Sequence, residues 1–253
     1  MNKGDNNYVK IRAFRAIDEP EMCDKFILGH SRVLTSVGVD QVSSSSHDWK
    51  YNPASFVILC ESQDEEKVFG GVRVHALGGN QELPIEEATK EMDPTISSHI
   101  NKYASIGTGE MCGLWNSMEV AGMGIGAVYL IRSAVAVLEQ LKLGSLWALC
   151  SPFSARIARN YSFLKYDKVG NGGTFYYPKI DLLATVCFVE DSYRLESGKE
   201  SELVRIFDLR KNPVQTVDEV NRGMRINIEY DLKLKNIDTS VYFRNKDLNE
   251  ERL

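Results

Sequence analysis

The sequence predicts a mixed α+β domain, a central sheet flanked by helices, followed by a C-terminal extension. Three observations carry this. Short apolar or alternating runs of strand length recur along the chain, separated by longer runs with helical period. The 253 residues are 43% hydrophobic and 26% charged, enough apolar material to bury a substantial core. The segment from Ala121 to Ala127 sets three alternate glycines (Gly122, Gly124, Gly126) between an apolar run and a long amphipathic one, a strand–loop–helix signature.

In order, Tyr8 to Ile17 alternates as a first strand. Asp18-Glu19-Pro20-Glu21 marks a helix start with Asp18 as N-cap, and Met22, Phe26, Val33 and Val37 share one face of the helix that follows. Val42 to His47 is a polar, serine-rich loop. Ser55 to Cys60 and Val68 to Leu77 read as a strand pair joined by the charged turn Gln63 to Glu66. Helical pieces follow around Ile85 to Met92 and Ile96 to Tyr103. Then come a strand from Glu110 to Trp115, the glycine loop, and a helix from Ile125 to Leu143. Leu146 to Cys150 is a short buried strand, Ser154 to Phe163 a helix, and Gly173 to Pro178 and Leu183 to Val189 are strands. The domain is expected over residues 1–190 and the extension over 191–253, with a helix at Ser201 to Leu209, a strand at Arg225 to Leu234 and a charged tail from Asn245.

Thirty Lys+Arg stand against 35 Asp+Glu, a net charge of −5, with no basic block. A nucleic-acid binder needs a concentrated positive footprint, so no nucleic-acid partner is expected. The amphipathic run 125–143 carries Arg132, Glu139 and Lys142, so no membrane span is expected. Residues 1–7 lack the apolar stretch of an export signal. The five cysteines (Cys23, Cys60, Cys112, Cys150, Cys187) are odd in number with no CxxC pair, which fits a reducing cytoplasm. Four scattered histidines give no metal-ligand spacing, and no metal is expected.

Alternate glycines let successive amides point into one concavity, and a helix starting there adds its unpaired N–H groups and dipole. The run is therefore a candidate diphosphate cradle. It lacks the Lys-Ser/Thr of a nucleotide P-loop and the acidic residue of a dinucleotide fold.

The stretch Leu114 to Gly126 resembles the acyl-CoA pyrophosphate loop of the GNAT superfamily of N-acetyltransferases, Gln/Arg-x-x-Gly-x-Gly/Ala after the fourth strand, with Ala121 in place of the usual Arg or Gln. Tyr161-Ser162-Phe163-Leu164-Lys165-Tyr166 is similar to the family's Tyr-x-x-Leu-Gly-Phe, and Thr174 to Pro178 to its Tyr-rich sixth strand. The resemblance covers roughly residues 8 to 190. It implies a mostly antiparallel sheet, acyl-CoA as co-substrate, a small-molecule amine or amino acid as acceptor, and a fourth strand splayed so that the backbone of Cys112 to Asn116 can pair with pantetheine. The implied cofactor-binding residues are Leu114, Asn116, Ala121, Gly122, Met123, Gly124, Ile125 and Gly126, with Ser154 near the family's pantetheine-contacting Asn.

Acyl transfer to an amine needs a base for the amine and an acid for the leaving thiolate. The resemblance implies Glu110 as base, directly or through water, and Tyr161 as acid. Cys112 is read as a buried structural thiol. A narrower similarity links Gly71 to Val74, Leu83 to Glu86 and Glu110 to Leu114 with the autoinducer synthases and long-chain N-acyl amino acid synthases. Arg73 and Glu110 match that branch, whereas Gly113 stands where it has Arg. Arg73, and Trp49 beside the serine-rich loop, are candidate substrate residues. That branch also implies acyl carrier protein as an alternative donor, with Arg156, Arg159 and Lys165 as a positive docking patch. A catalytically silent acyl-CoA-binding module is the reading from a different class.

Overall fold

A computed structural model describes residues 8–39, 42–45 and 47–242. The sequence readings on residues 1–7 and on the tail from Asn245 lie outside the described residues.

The first strand, β1 (Tyr8–Arg15), buries alternate residues, as its sequence alternation requires. Asp18 does not cap the next helix. It closes a 3-10 turn and accepts from Arg15 and Asn236, while α1 (Pro20–Ser36) opens on Pro20, whose missing N–H costs nothing at a helix start. β2 (Ser55–Glu61) is buried throughout, and β3 (Val68–Ala76) pairs antiparallel with it. The insertion folds as α2 (Pro84–Thr89) and α3 (Ile96–Asn101), each shorter than its periodicity indicates. β4 (Thr108–Asn116) leads into the glycine loop. The expected long helix begins as a π-helical segment, Ile125–Leu130, continues as α4 (Ile131–Ala136), and then relaxes into turns. β5 (Ser145–Cys150), α5 (Pro152–Ala158), β6 (Leu164–Lys165), β7 (Thr174–Tyr176) and β8 (Leu183–Val189) follow. Beyond residue 190 lie α6 (Glu200–Lys211) and a hairpin of β9 (Val214–Asn221) and β10 (Met224–Asp231), one strand more than the alternation signals.

The strands form one sheet in the order β6-β8-β5-β4-β3-β2-β1-β10-β9, with β7 also paired to β8. Among the described residues only β4–β5 and β1–β10 pair in parallel; the other pairings are antiparallel. The mixed, mostly antiparallel sheet flanked by helices is thus present. Val72, Val74, Met111, Leu146 and Ala148 face a core shared with α4 and α6. The alternate residues face the layer of α1, α2 and α3, where Phe26, Trp49 and Trp115 pack edge to face. No helix among the described residues is long and apolar enough to cross a membrane.

Candidate active site

β4 and β5 part company. They pair only over Thr108–Glu110 and Ser145–Trp147. Beyond that, β4 stays with β3 and β5 stays with β8, so Met111 onward and Ala148 onward face each other unpaired. The cause is legible in β4: its register against β3 shifts between Gly71 and Arg73, opposite Gly113, whose φ is +60°. One extra residue bends the strand outward there. Glycine is favoured on two counts, since φ lies in the left-handed region and a Cβ would come within 3.3 Å of the Phe26 ring. An arginine at 113 would be strained at this bend.

The parting opens a cleft of about 950 Å³. Its walls are β4 from Glu110 to Leu114, the C-terminal half of α1, the start of α5 and the segment 177–184. Val33, Leu34, Val37, Leu182 and Leu183 make much of it apolar. Glu110 lies at its inner end, 3% exposed, its Oε2 accepting the Ile85 amide at 2.7 Å at the start of α2. Burial pushes the Glu110 carboxyl up to about 8, against the smaller opposing pulls of that amide and the Arg73 charge.

Period-two alternation sets four polar side chains on one face of two paired strands: Arg73 and His75 on β3 opposite Cys112 and Glu110 on β4. All four are buried. Arg73 Nε donates to Cys112 Sγ at 3.3 Å, and its guanidinium lies 4.4 Å over the Trp49 ring. Cys112 remains a protonated thiol, pushed up to about 12 by burial, with Arg73 opposing. Trp49 is 1% exposed and held in the 3-10 turn Asp48–Tyr51. The two candidate substrate residues therefore touch each other, next to Glu110.

Tyr161 is placed elsewhere. It is buried in the α4–α6 core, its hydroxyl within 3.4 Å of the Ala127 and 3.3 Å of the Val128 carbonyl, and it does not line the cleft. Burial raises its phenol above the ordinary range. The tyrosine that does face the cleft is Tyr177, whose hydroxyl accepts the Ser43 amide. The sequence marks Tyr177 only as part of the Tyr-rich stretch Thr174 to Pro178, with no role, and passes over His75, although the polar alternation Arg73-x-His75 inside an apolar strand is a signal that marks it.

The glycine loop differs from a plain anion cradle. The amides of Ala121 and Met123 close turns onto the Met118 and Val120 carbonyls. The first donors inside the helix are Val128 and Tyr129, both onto the Gly124 carbonyl, so the amides of Ile125, Gly126 and Ala127 precede any helical bond. Those of Gly122 and Gly124 have no backbone acceptor either. Two glycines have packing reasons of their own. A Cβ at Gly126 would lie 2.3 Å from Asn116 Oδ1, and one at Gly124 2.6 Å from Asn221 Nδ2. Asn221, at the β9–β10 turn, also donates to the Gly122 carbonyl at 3.2 Å. Leu114 and Ser154 line the cleft, Ser154 within the cap that Ser151 forms on α5; Asn116 does not. Arg156, Arg159 and Lys165 are exposed. All five cysteines are free and buried, and no cluster of three or more metal-ligating side chains occurs among the described residues.

No family model and no curated protein matches the chain. Solved structures do. One is FeeM, an N-acyl amino acid synthase from uncultured soil microbes, at TM-score 0.56 and 11% identity, covering 78% of this chain and 97% of FeeM. Another is BjaI, a CoA-dependent acyl-homoserine lactone synthase solved with MTA, at TM-score 0.51 and 10% identity, covering 96% of this chain and 99% of BjaI. With its mostly antiparallel sheet flanked by helices, the chain shares the GNAT-like fold of these two synthases.

Proposed function

We propose that the protein is an N-acyltransferase that moves an acyl group from acyl-CoA to the amine of a small molecule. The observation that carries this is the parting of β4 from β5 over a cleft with a buried carboxylate, raised toward neutrality, at its inner end. A thioester arm is slender and carries amide groups, and the unpaired backbone of Met111 to Leu114 offers it partners along an open strand edge. The amides of Gly122, Gly124, Ile125 and Gly126 hold the diphosphate, with backbone rather than an Ala121 side chain as donor. The apolar wall formed by α1 and the segment 177–184 accommodates an acyl chain longer than acetyl.

In the reaction the amine nitrogen attacks the thioester carbonyl, the N–C bond forms, and the C–S bond breaks. Glu110 takes the proton the nitrogen loses, and a carboxyl near pH 8 is matched to that task. The thiolate leaves as the thiol. Its proton comes from Tyr177, the phenol on the cleft wall, rather than from Tyr161.

The test combines thermal shift with acetyl-CoA, a long-chain acyl-CoA and free CoA with thiol release over an amine panel. The expected result is stabilisation by a CoA ester and a kcat/KM that rises with pH and levels off above about 8, because the base must be ionised. Glu110→Gln lowers turnover by about 10²–10⁴-fold with ester binding unchanged. Tyr177→Phe slows turnover and Tyr161→Phe leaves it intact. Absence of stabilisation by any CoA ester sinks the reading.

A second donor, acyl carrier protein, is favoured by one observation: α5 carries exposed Arg156 beside exposed Phe153 at the cleft rim. Comparing turnover with the two thioesters of one acyl chain separates the donors.

A further inference from the structure

Attack of an amine on a thioester charges a third atom besides the nitrogen and the sulfur. The electron pair of the C=O bond moves onto oxygen, and an oxyanion in a cleft poor in water needs a hydrogen-bond donor beside it. Glu110 serves the nitrogen and Tyr177 the sulfur, so the oxygen calls for a further group.

That group stands on α1. His30 is 6% exposed, and it forms the cleft wall together with Glu110, Gly113 and Tyr177. Among the described residues its ring makes no hydrogen bond. Other polar side chains of the cleft are engaged. Ser151 and Ser154 bond each other at 3.1 Å, Cys112 accepts from Arg73, and Cys150 hydrogen-bonds Cys187.

Two glycines bring the imidazole to β4. Phe26 and His30 lie one turn apart on the buried face of α1, ring centroids 6.0 Å apart. Gly29 beside them seats the Trp115 ring, from which a Cβ would lie only 2.0 Å, so α1 rests closely on β4. At Gly113 a Cβ would come 3.9 Å from His30 Cε1. The histidine therefore stands over the bulge, where Gly113 and Leu114 together face the single residue Val72 and the strand has already left β5.

This is where a thioester has to lie. The glycine loop follows Asn116, so an arm laid from it along β4 passes Leu114 and Gly113 before its reacting end nears Glu110. Gly113 and Glu110 are separated by about 10 Å of strand. His30 and Glu110 border that interval at its two ends.

The ring is also in the right charge state. Burial, with the Arg73 charge adding to it, pushes His30 down to about 4, so the imidazole is neutral wherever Glu110 ionises. A neutral imidazole carries one N–H whichever nitrogen holds it, and that N–H donates without giving up its proton.

We propose that His30 is a catalytic residue of the acyl transfer, its imidazole N–H donating a hydrogen bond to the thioester carbonyl oxygen and to the oxyanion that forms from it. The assignment rests on the N-acyltransferase reading and adds to it the group that meets the developing charge. As the N–C bond forms, the C=O electron pair moves to oxygen; it returns as the C–S bond breaks. The His30 proton stays on its nitrogen throughout.

The experiment compares the full chain with His30→Phe and His30→Gln, a thermal shift with acyl-CoA reporting that each variant is folded and binds the donor. His30→Phe is expected to lower kcat by about 10²–10³-fold with little change in the KM for acyl-CoA, and His30→Gln, which keeps an N–H, to recover about tenfold of that loss. Both variants keep the rise of kcat/KM with pH that Glu110 sets. Infrared spectra of acyl-CoA isotopically labelled at the thioester carbonyl, bound without amine, give a C=O band lower in the wild type than in His30→Phe, with His30→Gln between them. Full turnover by His30→Phe, or a band at the wild-type position in it, overturns the inference and leaves the N-acyltransferase reading standing. A His30→Gln protein no faster than His30→Phe also overturns it, because His30 then moves a proton instead of donating a hydrogen bond. If the wild type binds no CoA ester and releases no thiol, both readings fall.

Discussion

Glu110 shows how one residue takes its chemistry from its surroundings. A glutamate ordinarily titrates near 4.5, and desolvation between α2 and the sheet moves this one to about 8. The sign for stability follows from proton counting. The folded state holds the proton that the unfolded chain releases, so this contribution is complete below about 4.5 and is lost as pH rises through about 8. At about 1.4 kcal/mol per pH unit, the penalty at high pH is bounded at roughly 5 kcal/mol. Glu110→Gln, which keeps an acceptor for the Ile85 amide, is therefore expected to match the wild type in urea unfolding near pH 5 and to exceed it near pH 9. A variant no more stable at pH 9 means that Glu110 is not buried as an acid. Sequence position alone marks Glu110 as a strand-borne carboxylate. It does not reveal the burial, because α2, which supplies the cover, comes from a separate stretch of chain.

At the scale of elements, the decisive feature is the bulge in β4. Gly113 holds it with φ +60°. Gly113→Ala is expected to cost about 1–2 kcal/mol in urea unfolding, from left-handed strain. It should also weaken acyl-CoA stabilisation in a thermal shift, because the strand straightens toward β5. An alanine variant with full stability and full CoA response removes the bulge from the account. The existence of most elements is readable from apolar period: Leu183–Val189 and the core of β2 are found at their sequence positions. Two strands are not readable. β6 has two exposed residues, Leu164 and Lys165, and β9 leaves most of its residues accessible, so neither carries a burial pattern. The glycine loop is half legible. Its alternation stands out, but the demand for glycine at 124 and 126 comes partly from Asn221 and Asn116, which no local pattern connects to it.

Across the whole molecule, the C-terminal residues are tied to the rest through Arg132. From α4 it reaches Glu202 on α6 at 2.9 Å and Glu219 on β9 at 2.6 Å, with its side chain 4% exposed. Removing one member of a buried pair leaves the other uncompensated, at about 3–5 kcal/mol. Arg132→Met is expected to lose that much in urea unfolding, and Glu202→Gln with Glu219→Gln on the Met background to restore part of it. A Met variant of unchanged stability shows that the network carries no net energy. The same segment places Asn221 over the glycine loop, so loosening it should also weaken CoA binding.

The alternation of apolar and polar residues by itself determined that the chain builds a helix-flanked sheet, that a strand enters a glycine loop and then a helix, and that Glu110 and Arg73 sit on strands. Those properties depend on neighbours along the chain. Tertiary structure alone decided that β4 leaves β5, that Tyr177 rather than Tyr161 faces the cleft, and that Trp49 meets Arg73 beside Glu110. Each of these joins segments far apart in sequence, and which of two similar side chains reaches a cavity is settled by packing and backbone bend, for which composition and period have no term.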